Sequence, residues 1–475
     1  AEAIGFGALM EGTIPVIIAI GAGLTFGILL VYILSMMLTP ALCLIVNYKK
    51  SFEFKSWESF ASFPQEHSKK ILAFTIFLVL ISIIFFQPRV SYNADFLSMA
   101  PRDEPSILKL EEYSRNMGGG QMGMVKLTGQ LNQFDTLKIM DHVNLKINDV
   151  DNTMSFCIVD IMKIIRVPSN ITVPNSNLAV ETRELSFWQA ISQTVIASSP
   201  TTQQALLDIF YKSIPAETKL MIMNKKEDAT LIYVFMPMMD IEKTKAAVDE
   251  VNSIVSSEAN IPGGSIKPLT GVASLQIAIN DLMVATHTKI MILSLVLVCI
   301  TLAIAFRDIK AGIITTVPVL LVVALEPLTL YIIGISLNVI TVMVVSIVIG
   351  TGVDYAIQIT QRFRQEGETL RALRIAVQYS GVSFVEVTAT MLGGFGTAWL
   401  VVMAIPSIQE FLLLMMLLLI YSAFMALLFL PALYTFLINY GFLEKKKPVE
   451  ELSSLTSISG TASGTKSIIS ARKED

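Results

Sequence analysis

The stretch from Gly350 to Glu366, GTGVDYAIQITQRFRQE, sets an aspartate beside a tyrosine near the end of an apolar run that begins at about Leu337. A charged side chain at the centre of a bilayer costs roughly 2.5 to 3.5 kcal/mol on insertion scales, so a carboxyl kept there usually faces protein or water and has a task. On a helix, Ser346, Gly350, Asp354, Gln358 and Arg362 stand four apart and make one small or polar stripe on a Val/Ile surface. Gly350 and Gly352 would let a neighbouring backbone come close, keeping lipid away from Asp354. A carboxyl protonated from one side and released to the other is what ion coupling requires, and the Tyr355 hydroxyl can donate to a carboxylate. The plainer alternative is a juxtamembrane residue, because Arg362 lies only about 12 Å further along a helix axis.

Two more acids fall in apolar runs. Glu386, in SFVEVTATMLGGFG, shares a helix face with Thr390 and Gly393, at a depth similar to that of Asp354. A second carboxyl near the first would split their titrations and could hold one proton between them, which makes Glu386 and Thr390 candidates for the same relay. The alternative for Glu386 is a side chain reaching back to the cytoplasmic surface. Glu326, before Pro327, is expected nearer the outer end of its run, too far along the axis to pair with Asp354 but placed to gate an outer vestibule.

Composition defines what must position these residues. Of the 475 residues 53% are hydrophobic and 16% charged, against roughly 25% charged in ordinary soluble domains. Spanning runs of about 20 apolar residues occur at 14–46, 71–86, 289–306, 312–333, 337–360, 384–403 and 408–438. Residues of ordinary polarity fill the gap from Gln87 to about Thr286. Lys and Arg crowd alternate short loops (Lys49, Lys50, Lys55, Lys69 and Lys70; Arg307 and Lys310; Arg362 to Arg374; Lys445 to Lys447), while GISLN and AIPSIQE carry none. By the positive-inside rule the basic loops are cytoplasmic and the polar domain lies outside. The sequon at Asn170 would then be accessible.

Other chemistries find little support. Cys43, Cys157 and Cys299 are far apart, as are His67, His142 and His287, so neither a disulfide framework nor a metal-binding spacing is present. No nucleophile and base form a readable motif, Gly118 to Gly120 lack the Lys-Ser/Thr of a phosphate loop, and a net charge of -4 leaves no footprint for nucleic acid. The expectation is a protein that is not an enzyme, needs no cofactor and binds no nucleic acid.

The chain also repeats itself. Proline segments at Pro15 and Pro406 are followed at the same offset by PAL at Pro40 and Pro431, NY follows both at Asn47 and Asn439, and GFG precedes both at Gly5 and Gly394. The expected organisation is therefore the end of a first-repeat bundle (1–47), a cytoplasmic interfacial helix (48–70), the first span of a second repeat (71–87), an extracytoplasmic domain (88–286), a five-span bundle (287–440) and a disordered tail (441–475). Transporters are often built from such repeats, with the coupling site at their interface.

GTGVDYAIQITQRFRQE resembles the GVDY signature of the resistance-nodulation-division (RND) superfamily in its MMPL and hopanoid-exporter-like branch. The PAL and GFG segments, NADFLSMAPRDEP with the glycines at 118–120, and the span order support the resemblance over essentially the whole chain. It implies a polytopic α-helical membrane protein with an RND-type bundle and a large extracytoplasmic α+β porter domain of ferredoxin-like type. It further implies proton-driven export of lipids or other hydrophobic compounds from the plasma membrane, with Asp354 and Tyr355 in the relay. Partners would be the membrane, the hydrophobic substrate, the remainder of the first repeat and a possible second copy. A lipid-sensing receptor and a protein-export auxiliary are the other functions this span order would suit.

In the polar domain, VKLTG, a helix at 135–150, a strand near MSFCIVD, a hairpin KLMIMNKKEDATLIYVFMP, a helix at 240–257 and a strand SIKPLTG read as two β-α-β units. SFWQAISQTVIA and QQALLDIFYKSI read as helices with core-facing apolar sides, and SFEFKSWESFASF as an amphipathic helix in the inner interface.

Overall fold

The computed structural model describes residues 2–47, 56–92, 104–117, 119–167, 184–193, 199–258 and 263–442, with a few isolated positions between them. Asn170, Gly118, residues 93–99 and the tail from 443 lie outside the described residues. The chain divides into two compact units, one of 1–91, 285–403 and 407–475, the other of 92–284 with 404–406.

In the first unit α1 (Glu2–Ala8) leads to α2 (Pro15–Val46), which starts on Pro15 and stops where Asn47 turns left-handed at φ 50°. Proline at the first helical position loses no hydrogen bond, and asparagine is one of the few residues that tolerates that φ. The helix α3 (Ser56–Glu66) follows, with Trp57 packed where Gly381 leaves room and Ala61 buried. Next comes α4 (Ser68–Ile81), which continues through a π-helical turn at Ser82–Phe86.

The second unit holds α5 (Pro105–Met117), β1 (Gly120–Thr128), α6 (Phe134–Asn148), β2 (Met154–Phe156) and α7 (Ile158–Ile164). A small ribbon of β3 (Ile171–Thr172) and β4 (Ala179–Val180) follows, then α8 (Phe187–Ser192), α9 (Pro200–Ser213) and α10 (Ala216–Ile222). The unit continues with β5 (Ala229–Pro237), α11 (Ile241–Ser257), β6 (Ser265–Ile266) and β7 (Thr270–Gly271).

The main sheet is antiparallel in the order β2-β5-β1-β6, with β7 also on β1. Taken with the two crossing helices α6 and α11, this is the ferredoxin-like arrangement. Strict alternation of burial along β5 aims Ile232, Val234 and Met236 at a core shared with Leu137, Met140, Val143 and Ile147 of α6. Phe187 and Phe210, with ring centroids 5.3 Å apart, bring α8 and α9 into that core, as their apolar faces suggested.

Three local readings need correction. KLMIM is not the first arm of a hairpin: it falls mostly in α10, and a single bridge, Met223 to Thr230, links it to β5. On that edge of β5 the ladder belongs to β2, which pairs with Tyr233–Phe235, and only Met223 reaches the edge beyond it. The strand near MSFCIVD ends at Phe156, because Cys157 and Asp160 form a capping box that starts α7. SIKPLTG is split into β6 and β7 around Pro268, which has no N–H to give a ladder.

Back in the first unit, α12 (Val272–Phe306, whose N-terminal part belongs to the second unit) precedes α13 (Ile309–Ala324), α14 (Glu326–Ile333), α15 (Val344–Gln365), α16 (Leu370–Val401), α17 (Pro406–Phe424) and α18 (Leu430–Asn439). Among the described residues seven helical stretches are long and apolar enough to cross a membrane, matching the seven runs of the sequence. The protein is a multi-pass membrane protein. Of these stretches, Thr341–Gln365 is the most enclosed by the others, which is why its stripe can be polar.

Candidate ion-coupling site

Asp354 lies on the stripe of α15 that faces α1. Its carboxyl lies beside the carboxyl of Glu2, and both side chains are half-buried. Two carboxyls bond to each other only when one carries a proton, so neighbouring carboxyls of this kind are suited to sharing one. Small residues make the approach possible. A Cβ on Gly350 would sit 3.1 Å from the Glu2 Cα, and one on Gly5 would sit 2.9 Å from the Ser346 carbonyl oxygen, so α1 and α15 touch backbone to backbone. Ser346 ties the contact together: its hydroxyl bonds the Gly5 carbonyl and lies 2.8 Å from the Ser294 hydroxyl of α12.

Gly352 faces α17, where an added Cβ would come within 2.6 Å of the Ser422 hydroxyl. The remainder of the stripe runs out of the bundle: Gln358 is exposed, and the Arg362 guanidinium stacks 4.6 Å over the Tyr379 ring.

Tyr355 turns the other way. Its hydroxyl pairs with Thr388 of α16 at 3.0 Å, and its ring meets Phe384 edge-on at 4.9 Å. Phe384 and Thr388 are one helical turn apart and face inward. Residues two positions on point about 200° away, so Glu386 and Thr390 come together on the exposed side of α16, where the Thr390 hydroxyl donates to the Glu386 carbonyl at 2.8 Å. The carboxyl that meets Asp354 is thus Glu2, not Glu386. Sequence reasoning passed over Glu2, although an acid three residues before GFG in an apolar fragment was a usable signal. Toward the basic end of α15, Thr315, Thr360 and Tyr434 form a buried hydroxyl chain with links of 2.9 and 3.1 Å.

A family model described as the MMPL family matches residues 189–454. The chain belongs to the MMPL family. A protein of Methanocaldococcus jannaschii described as a putative membrane protein is 24% identical over 341 residues, covering 69% of this chain and 82% of that one. Among solved structures, the hedgehog release protein Disp from the water bear Hypsibius dujardini superposes with a TM-score of 0.56 at 12% identity. The match covers 92% of this chain and 57% of Disp, and shows a common RND fold. SecDF, a translocon-associated membrane protein from Thermus thermophilus, matches with a TM-score of 0.46 at 12% identity over 92% of this chain and 47% of SecDF. The MMPL chain described here therefore spans about half the length of each of these two.

Proposed function

We propose that this MMPL protein is a secondary transporter that uses the proton gradient to export a lipid or another hydrophobic compound from the plasma membrane. The observation that carries the reading is the carboxyl pair of Glu2 and Asp354 inside a span bundle, where an ionisable group is costly unless it is used. Proton binding and release at this pair changes its charge, and Tyr355, next in sequence but bonded to α16, is placed to pass the change to a second helix.

Two further features support the reading. The face of the main sheet opposite the core of the polar domain carries cross-strand rows of Met154, Phe235 and Met122 and of Phe156, Tyr233 and Met124, an apolar surface suited to a hydrophobic substrate. In our reading that domain lies outside the membrane, since the basic loops mark the cytoplasmic side. On α16, Gly393, Gly394 and Gly396 have open space around them while the equivalent Gly5 is tightly packed, so we assign the α16 glycine face to the remainder of the first repeat.

The test is reconstitution in liposomes with an imposed pH gradient and a candidate lipid present. Asp354→Asn is expected to abolish proton flux and lipid movement together. Wild-type rates of both in this variant would overturn the proposal and favour a lipid-sensing role without coupling.

A further inference from the structure

His287 and Glu326 form a second ionisable pair in the bundle. Their Nε2 and Oε2 atoms are 3.5 Å apart, and the residues are only 7% and 3% exposed. Glu326 sits where the span Ile309–Ile333 is interrupted: α13 ends at Ala324, Leu325 forms a turn, and α14 restarts with Pro327 in its first turn. Proline has no N–H and clashes with the preceding turn, so the break is built into the sequence. Broken helices in transporters commonly bring ion-binding groups to the break.

The other Glu326 oxygen, Oε1, is buried with no hydrogen-bond partner in the structure. Leaving a buried carboxylate oxygen unsatisfied is expensive. Protonation relieves that cost, as does a passing donor.

The pair also lies in line with the site already described. His287 lies beside the backbone of Val342, and seven residues on, on the same side of α12, Ser294 meets Ser346. Residues 342, 346, 350 and 354 are spaced by four, so the serine contact falls on the stripe that carries Asp354 and Val342 lies one turn before its start. Along a helix axis the spacing from 342 to 354 is about 18 Å, with the serine pair between.

Among the described residues, the charged groups of the adjoining elements are engaged elsewhere. Lys289 lies 3.9 Å from Glu11, Arg89 donates to the Phe85 carbonyl and Glu410 accepts from Asn338. Thr13 bonds Thr286, and Ser82 accepts from the Leu328 amide. Glu326 is the charged group that acts on His287.

We propose that His287 and Glu326 are a proton-loading station at the end of the bundle remote from the basic loops, feeding the Glu2 and Asp354 pair along the seam of α12 and α15. The proton moves between an imidazole nitrogen and a carboxyl oxygen, and no other reactant is needed. The proposal rests on the coupling role given to Asp354, so its test separates the two.

In proteoliposomes between pH 5 and 8, Asp354→Asn should be inactive throughout. His287→Gln and Glu326→Gln should each lower flux at least tenfold at neutral pH and move the half-maximal pH by about one unit. The double variant should be no worse than either single one, and Glu326→Asp should restore the profile. Profiles of His287→Gln and Glu326→Gln that superimpose on wild type, with Asp354→Asn inactive, overturn the station and leave the coupling site standing.

A second readout does not depend on transport. With only three histidines in the chain, 15N-histidine NMR of His67→Gln/His142→Gln protein in nanodiscs reports His287 alone. Its titration should shift in Glu326→Gln and return in Glu326→Asp. An unchanged titration in Glu326→Gln overturns the pair whatever the flux shows.

Discussion

Gly350 offers the sharpest test of how the carboxyl pair is held, because at this position stability and activity should part company. An alanine Cβ would lie 3.1 Å from the Glu2 Cα and 3.3 Å from its carbonyl oxygen, and neither backbone atom can rotate away. Ordinary carbon contacts are about 3.5 to 4.0 Å, so α1 must retreat by roughly 0.5 Å at the residue that carries the partner carboxyl. Replacing a mid-helix glycine with alanine gains about 0.5 to 1 kcal/mol of helix stability, while mild overpacking costs about 1 kcal/mol or more. The two nearly cancel, and thermal stability in detergent should stay close to wild type.

The contact between the Glu2 and Asp354 carboxyls has no such compensation. Losing about 1.4 kcal/mol of it in the state that passes the proton corresponds to about tenfold in rate. Gly350→Ala is therefore expected to cut proton flux about tenfold with little change in melting temperature. Gly350→Val, whose extra methyls cannot be accommodated by so small a shift, should lose flux to the level of Asp354→Asn and melt several degrees lower. The assay is pH-gradient decay in proteoliposomes alongside melting of the same preparation. Wild-type flux in Gly350→Val would refute the reasoning, since the contact of α1 with α15 would then not set the pair.

Other residues give further expectations. Phe210→Ala removes a fully buried ring between Phe187 and Tyr211 and should destabilise the polar domain by about 3 to 5 kcal/mol, read by its denaturant midpoint. A Lys146 hydrogen bond holds the Glu258 carboxyl below its ordinary range, so its contribution is present above the unfolded-state value and is lost as pH falls through the folded one; Glu258→Gln should flatten the acid limb of the domain's stability profile, and an unchanged limb would exclude the effect. Thr388→Val leaves the Tyr355 hydroxyl without its partner and should lower flux severalfold, with Thr388→Ser retaining it. Exchanging Met122 and Phe156 together for glutamine on the open sheet face should leave melting unchanged and reduce lipid movement, measured with the same liposomes.

What the sequence disclosed followed from patterns longer than one element. Twenty-residue apolar runs are decided by composition alone, so all the spans were legible, and the stripe through Ser346, Gly350 and Asp354 was legible because four-residue spacing fixes a face. Partnership across the bundle was not. Glu2 and Asp354 are 352 positions apart in number, and only packing at Gly5 and Gly350 makes them neighbours. The same limit explains His287 and Glu326: scattered in the chain, they meet because Pro327 breaks one span beside the face of another. Helix phase gives the complementary case. Glu386 and Thr390 were correctly placed on one face of α16, but nothing in the local sequence says which face turns inward; that is decided by Phe384 and Thr388 meeting Tyr355. Aspartate and tyrosine adjacent in a signature therefore serve two different helices, α1 and α16. In the function proposed above, a change in the proton count at one residue is felt at both helices, which is a physical reason for the two residue types to stand side by side in the central span.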